Sequence, residues 1–267
     1  MPFLFYFGRN TMEKNIEKNT KALLQIIKDI SSITHKREID ILREAVEVSA
    51  LFFSSTITPH YETKLPGFEQ VTRNRLLRLN SILEATPKNI SNLYKDFLNE
   101  LIKSFSDCPY DYLGELINNL SGFSSRLGQF MTPGNVADLM NEISIASDSE
   151  GEVKTINDPA CGTGGLAISI GKSYLKKGIN YQPITQVFCS DIDLFMVQCT
   201  YVQLSLMGFE GSVIHSDTLK GAAFSENEMW ILPYSVIDGK KKQIEKENEH
   251  QFEELKKFLS GFLNYTG

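Results

Sequence analysis

Three short apolar runs in the second half of the chain each close on an aspartate. V-K-T-I-N-D ends at Asp158, T-Q-V-F-C-S-D at Asp191 and S-V-I-H-S-D at Asp217. Straight after the first comes P-A-C-G-T-G-G, with glycines at 162, 164 and 165. Carboxylates accept hydrogen bonds from hydroxyl and amino groups, and glycines let a backbone approach a ligand closely. A helix that starts behind such a turn aims its first free amides at the bound group. Acids and glycines in this order therefore point to a bound small molecule. They do not point to a metal: the four histidines are scattered and the four cysteines form no C-x-x-C pair, so no zinc site is expected.

The elements that must hold these acids follow from the pattern between them. The acid-terminated runs alternate with L-A-I-S-I-G-K-S-Y-L-K-K and F-M-V-Q-C-T-Y-V-Q-L-S-L-M, both of helical length. Strand, helix, strand, helix, strand predicts a parallel α/β sheet, and ligands bind outside the carboxyl ends of such strands. The first 120 residues read as helical, with Leu23, Ile26, Ile27 and Ile30, then Ile39, Ile41, Leu42, Ala45 and Val46, at three- and four-residue steps. Ser31 and Ser32 lie near the expected break between two helices. T-I-T-P-H-Y-E-T-K-L-P-G-F reads as a loop, V-T-R-N-R-L-L-R-L-N as a third helix, and a fourth starts near Asn89 or Ser91. A short fifth helix carries Tyr112, Leu116 and Leu120 and ends at Gly122, and another begins at Thr132-Pro133. The division expected is 1–120 helical, 121–235 α/β, and 236–267 a charged amphipathic helix with Phe252, Leu255, Leu259, Phe262 and Leu263 in one stripe. That stripe packs on its own domain or offers a subunit contact.

Composition narrows the class. At 267 residues, 42% hydrophobic and 22% charged, the chain has the make-up of a soluble globular protein. No apolar run approaches the ~20 residues that span a bilayer, and the opening M-P-F-L-F-Y-F lacks a cationic leader. A cytoplasmic location is the expectation. A net charge of -6 argues against coating nucleic acid by bulk electrostatics. Residues 1–110 nevertheless hold 15 Lys+Arg against 13 Asp+Glu, which makes the N-terminal helices the more basic part. Arg73, Arg75 and Arg78 there are candidates for DNA phosphates or a solvated face.

Two nucleoside-type ligands fit the glycine turn. Gly162 to Ala167 satisfies a loose G-x-G-x-x-A dinucleotide pattern, and Asp191 follows Gly164 by 27 residues, about where a ribose-binding acid belongs. Asp158 weighs against a pyrophosphate, which its carboxylate would repel. It favours a cationic amino group, as in the methionine part of S-adenosylmethionine.

The motifs also resemble those of a known family. D-P-A-C-G-T-G-G is similar to the cofactor motif of adenine-specific (N6) DNA methyltransferases, notably the modification subunits of type I restriction–modification systems. Gly128-Gln129-Phe130-Met131-Thr132-Pro133 resembles that family's G-Q-F-Y-T-P, D-Y-L-G-E-L-I the helix before it, S-D-I-D its ribose-binding acid, and H-S-D-T-L its G-D-T-L. Order and spacing agree over about residues 110–220. The resemblance implies a Rossmann-like methyltransferase sheet, incomplete, behind a helical N-terminal region, with S-adenosylmethionine as cofactor. On this mapping Asp158 receives the methionine ammonium, and Ala160, Gly162 and Gly164 bring backbone close to it. Asp191 binds the ribose, Asp217 the adenine amino group, and Gln129, Phe130, Thr132 and Pro133 close over the methionine end. Implied partners are DNA and another methyltransferase or specificity subunit.

The resemblance stops at the acceptor. The family carries N-P-P-Y or N-P-P-F after the next strand, where an amide and a proline carbonyl hold the target amine and the ring stacks on a flipped base. None of the nine prolines here is adjacent to another, and only Pro233 lies beyond Asp217. Ile231-Leu232-Pro233-Tyr234 is the nearest remnant, with Pro233 and Tyr234 as degenerate catalytic candidates and Ile231 where the amide belongs. Losing such an acceptor costs on the order of 10²–10³ in rate. The expectations are thus a cofactor binder without autonomous base methylation, truncated or degenerate; an active enzyme with a diverged motif or a partner chain; or a ligand-free assembly module.

Overall fold

The computed structural model describes residues 9–56, 68–121, 153–220 and 228–237. Among the described residues five helices come first: α1 Arg9–Thr34, α2 Glu38–Thr56, α3 Phe68–Ala85, α4 Lys88–Asp107 and α5 Tyr112–Ser121. Their apolar stripes face inward as the spacing predicts, with Leu23, Ile27, Ile30, Ile41, Leu42, Ala45 and Val46 fully buried. The break after α1 falls at residues 35–37, later than Ser31 and Ser32 suggest. Both serines are helical, and their hydroxyls donate to carbonyls, Ser31 Oγ to Lys36 O and Ser32 Oγ to Asp29 O. The chain reverses at His35, whose φ is +56°.

The α/β part runs β1 Lys154–Asp158, α6 Gly165–Lys176, β2 Thr185–Asp191, α7 Leu194–Met207, β3 Glu210–His215, β4 Met229–Ile231 and α8 Pro233–Ile237. Strand order is β1-β2-β3-β4. The first three strands are parallel, as expected, and β4 joins β3 antiparallel. This last strand lies outside the three for which a parallel arrangement was expected. Ser212 pairs with Ile231 and Ile214 with Met229, so β4 runs back towards the start of β3. Gly211 there has φ +131°, and a Cβ on it would lie 1.9 Å from Val187 O.

One apolar core joins the helices to the sheet. The reason is α7, L-F-M-V-Q-C-T-Y-V-Q-L-S-L-M, which carries no charged residue. A helix apolar all round is buried on both sides, and α7 packs against β2 and β3 on one side and α2 on the other. Its polar residues Gln198, Thr200, Gln203 and Ser205 are buried with it. The expected division at 120/121 falls at the end of α5.

Candidate cofactor site

Strand register sets the spacing of the acids. Asp158 pairs with Cys189, two residues before Asp191, and Asp191 pairs with His215, two residues before Asp217. Each acid is therefore one two-residue step, about 7 Å, further along than its neighbour. Because side chains alternate, a two-residue step keeps Asp158 and Asp191 on the same face of the sheet. Asp217 lies past the end of β3, where a short 3₁₀ turn, Thr218–Lys220, begins. The result is a diagonal row of carboxylates at the carboxyl edge, suited to an elongated ligand.

Hydrogen bonds stitch the three strand ends together. Thr218 Oγ1 donates to Pro159 O at 2.9 Å and lies 2.9 Å from Ser190 Oγ. Ser216 N donates to Asp191 O at 3.0 Å, and Cys161 N to Ser190 O at 3.0 Å. The glycine turn is fixed from below. Gly162 N donates to Asp191 Oδ2 at 2.9 Å, Gly164 N to Cys161 O at 2.8 Å, and Thr200 Oγ1 to Gly162 O at 2.7 Å. Gly162 and Gly164 both have positive φ, +53° and +87°. A Cβ at Gly164 would sit 3.1 Å from Thr200, so this glycine makes room for α7 as well as for the turn.

The acids differ in state. Asp158 accepts one backbone amide, Ala160 N at 3.2 Å. Partial burial pushes its carboxyl above the usual range, the Ala160 bond works against that, and the nearby Asp191 charge adds to it. A carboxylate so placed gains from a cation beside it. Asp191 is 9% exposed and accepts the amides of Gly162 and Asp193. Asp217 is held below the usual range by the Lys220 ammonium, 3.1 Å away, with help from the backbone amides of Leu219 and Lys220.

Two apolar residues beside the acids went unnoticed in the sequence. Ile192, next to Asp191, is 65% exposed, and Leu219, two residues after Asp217, is 99% exposed. Large aliphatic side chains so exposed at a strand edge offer walls for a flat ring. An apolar residue adjoining each acid, in D-I-D and D-T-L, was the available signal.

The structure does not bring Pro233 and Tyr234 to this edge. Antiparallel β4 carries them to the opposite end of β3, where Leu232 N donates to Gly211 O and Ser235 Oγ meets both Gly211 N and O. From Gly211 to His215 the strand rises about 13 Å. Pro233 starts α8 and is buried. The Pro-Tyr pair thus forms a helix start at the end of β3 away from the acids.

The three arginines of α3 are engaged within the protein. Arg75 is 8% exposed, stacks 3.8 Å over Trp230, and donates to Met229 O and Ser54 Oγ. It clamps β4 to the helices and is not available to a phosphate. Arg73 pairs with Glu69 and Arg78 with Glu47. Gln129, Phe130, Thr132 and Pro133, and the amphipathic stripe of 236–267, lie outside the described residues. Among those described, no group of three or more His, Cys, Asp or Glu could hold a metal, and no helix is long and apolar enough to cross a membrane.

A glycine turn framed by strand-end acids, in the order read from the sequence, coincides with a match to the family model for N-6 DNA methylases over residues 104–258. The chain belongs to the N-6 DNA methylase family. Its fold is a methyltransferase sheet of Rossmann-like type, incomplete at four strands among the described residues, behind a helical N-terminal region. The cofactor that goes with the family is S-adenosylmethionine. Two solved structures are similar. One is a class I S-adenosylmethionine-dependent methyltransferase of Listeria monocytogenes, with 17% identity, TM-score 0.42, and 76% of this chain and 54% of that one covered. The other is a type I restriction–modification methyltransferase subunit of Streptococcus thermophilus, with 14% identity, TM-score 0.39, and 75% and 59% covered. The chain thus spans between half and two thirds of the length of each. No curated protein sequence matches.

Proposed function

We propose that this N-6 DNA methylase family member binds S-adenosylmethionine and does not by itself methylate a base. One observation carries the reading: the three strand-end acids gather at the carboxyl edge of the sheet, while the Pro-Tyr pair sits at the other end beside Gly211. The residues fit the cofactor. Asp158, whose carboxyl burial holds up, would take the ammonium, with the Ala160, Gly162 and Gly164 backbone beside it. Asp191 would accept the ribose hydroxyls, and Asp217 the adenine amino group once Lys220 gives way. Ile192 and Leu219 would flank the ring, and Gln129, Phe130, Thr132 and Pro133 remain the candidates to close over the methionine end.

When bound, the cofactor supplies an electrophilic methyl group; the residues assigned here bind and orient it, and none of them is assigned to a target amine. The partners that accompany this reading are DNA and a second methyltransferase or specificity-type subunit, which would bring the acceptor. Calorimetry with S-adenosylmethionine tests the first half, since no heat of binding would end the proposal. Transfer of labelled methyl to mixed-sequence DNA tests the second. Incorporation by the purified chain at cofactor saturation would show an acceptor of its own, and the proposal would fall.

A further inference from the structure

The D-Y-L-G stretch, Asp111 and the first turn of α5, resembles a family helix in sequence. In the structure it reaches across to the glycine turn. Asp111 Oδ2 accepts the Thr163 hydroxyl at 2.6 Å. Its Oδ1 accepts Gln203 Nε2 at 2.8 Å and Gly114 N at 2.9 Å. Gln203 Nε2 also donates to Thr163 O at 2.7 Å, and Gln203 Oε1 accepts Leu113 N at 3.1 Å. Thr163 is 1% exposed and Gln203 fully buried. The carboxylate that caps α5 therefore closes a ring with α7 and the residue between the two left-handed glycines.

The fit on either side of this carboxylate is tight. A Cβ at Gly165 would lie 3.1 Å from Asp111 Oδ2, and one at Gly114 would lie 2.3 Å from it. Neither glycine has a positive φ; each is small because Asp111 occupies the space. Two glycines that sequence alone would assign to a ligand and to a helix thus fit one carboxylate between them.

We propose that Asp111 is a positioning residue for the cofactor site, latching the helical region onto Thr163 and so holding the Gly162–Gly164 turn in its left-handed shape. A partly buried, charge-assisted bond to the middle of a three-residue turn removes freedom from both flanking glycines, which on their own are the least restrained residues in a chain. The helical region is then part of the binding site. This rests on the cofactor reading above, and deepens it by naming what fixes the turn.

The test combines calorimetry with S-adenosylmethionine and amide exchange in the ligand-free protein. Asp111→Ala and Thr163→Val should each weaken binding at least tenfold, and the double variant should be no weaker than Asp111→Ala. Asp111→Asn and Thr163→Ser keep a bonding pair and should restore binding to within about threefold. In ligand-free Asp111→Ala, the amides of Gly162 and Gly164 should exchange at least tenfold faster, with those of β2 unchanged. Additive losses in the double variant, or undiminished binding by Asp111→Ala, would overturn the latch. So would a fall in Tm with Kd unchanged, the mark of a merely structural role. If Asp111→Ala fails to fold, Thr163→Val and its serine rescue decide alone. If the unmutated chain does not bind the cofactor, the cofactor reading fails first, and the exchange rates of the two glycines still decide whether Asp111 holds the turn.

Discussion

Asp158→Asn separates a ligand-binding acid from a structural one, because the two roles predict opposite changes. Burial raises the folded-state pKa of Asp158 above its unfolded value. Such a group stabilises the fold when protonated, below the unfolded pKa, and that contribution is lost as pH rises through the folded pKa. Once ionised, the carboxylate thus sits at a cost to the fold that a neutral amide does not carry, while the amide oxygen of the variant can still accept Ala160 N. Ligand-free Asp158→Asn should therefore melt at the same temperature as the unmutated chain or above it. Binding should move the other way. S-adenosylmethionine at 100 times its Kd adds about 2.7 kcal/mol of stability, a rise of about 5–10 °C for a chain of this size. Removing the charge-assisted bond to the ammonium costs about 2 kcal/mol, or about 30-fold in Kd. At the same ligand concentration the variant is then at about three times its Kd and gains only about 0.8 kcal/mol, or about 2–3 °C. Thermal melts with and without ligand, read against calorimetric Kd values, measure both quantities. In the unmutated chain, affinity should weaken as pH falls through the raised pKa of Asp158, starting at a higher pH than an ordinary carboxylate would give. An undiminished ligand shift in Asp158→Asn, or a ligand-free variant that melts several degrees lower, would refute the assignment.

Other perturbations follow from the same geometry. Leu219→Ser should leave the ligand-free Tm unchanged, because Leu219 is 99% exposed, and weaken cofactor binding by about 1–2 kcal/mol through lost apolar contact; equal Kd values would remove Leu219 from the site. Arg75→Ala should lower stability by about 2–4 kcal/mol, since it strips a buried charge-assisted bond and a cation–π stack. Arg73→Ala, at an exposed pair, should cost less than about 1 kcal/mol, and urea melts of the two distinguish a clamp from a solvated face. Gly211→Val should cost at least about 3 kcal/mol and scarcely yield folded protein, because the side chain would enter Val187 O at a backbone conformation that only glycine adopts readily; a well-folded variant with native Tm would contradict the sheet register.

Much of this protein was legible in the order of its residues. The α/β pattern, the bounds of β2, the helices behind the glycine turn and the inward stripes of the N-terminal helices all follow from periodicity, because burial of one face selects it. The row of acids was legible too, since strand ends are marked by the turn residues that follow them. Other features arise only when distant segments meet. Direction of β4 is one: W-I-L-P-Y reads equally well as a parallel or an antiparallel strand, and pairing with Ser212 to Ile214 alone sends Pro233 and Tyr234 away from the acids. Arg75 is another, a charge read as facing DNA phosphates or solvent, around which Trp230, Met229 and Ser54 close. Burial of α7 lay between the two, for its lack of charge was visible and its second neighbour, α2, was not. Asp111 shows the division most plainly. By itself the sequence determined that a turn of glycines follows a strand and that a short helix carrying Tyr112 lies ahead of it, with Asp111 52 residues before Thr163. Only the tertiary structure decided that the acid holds the turn, because a hydrogen bond between such distant residues depends on where the packing of α7 brings their backbones.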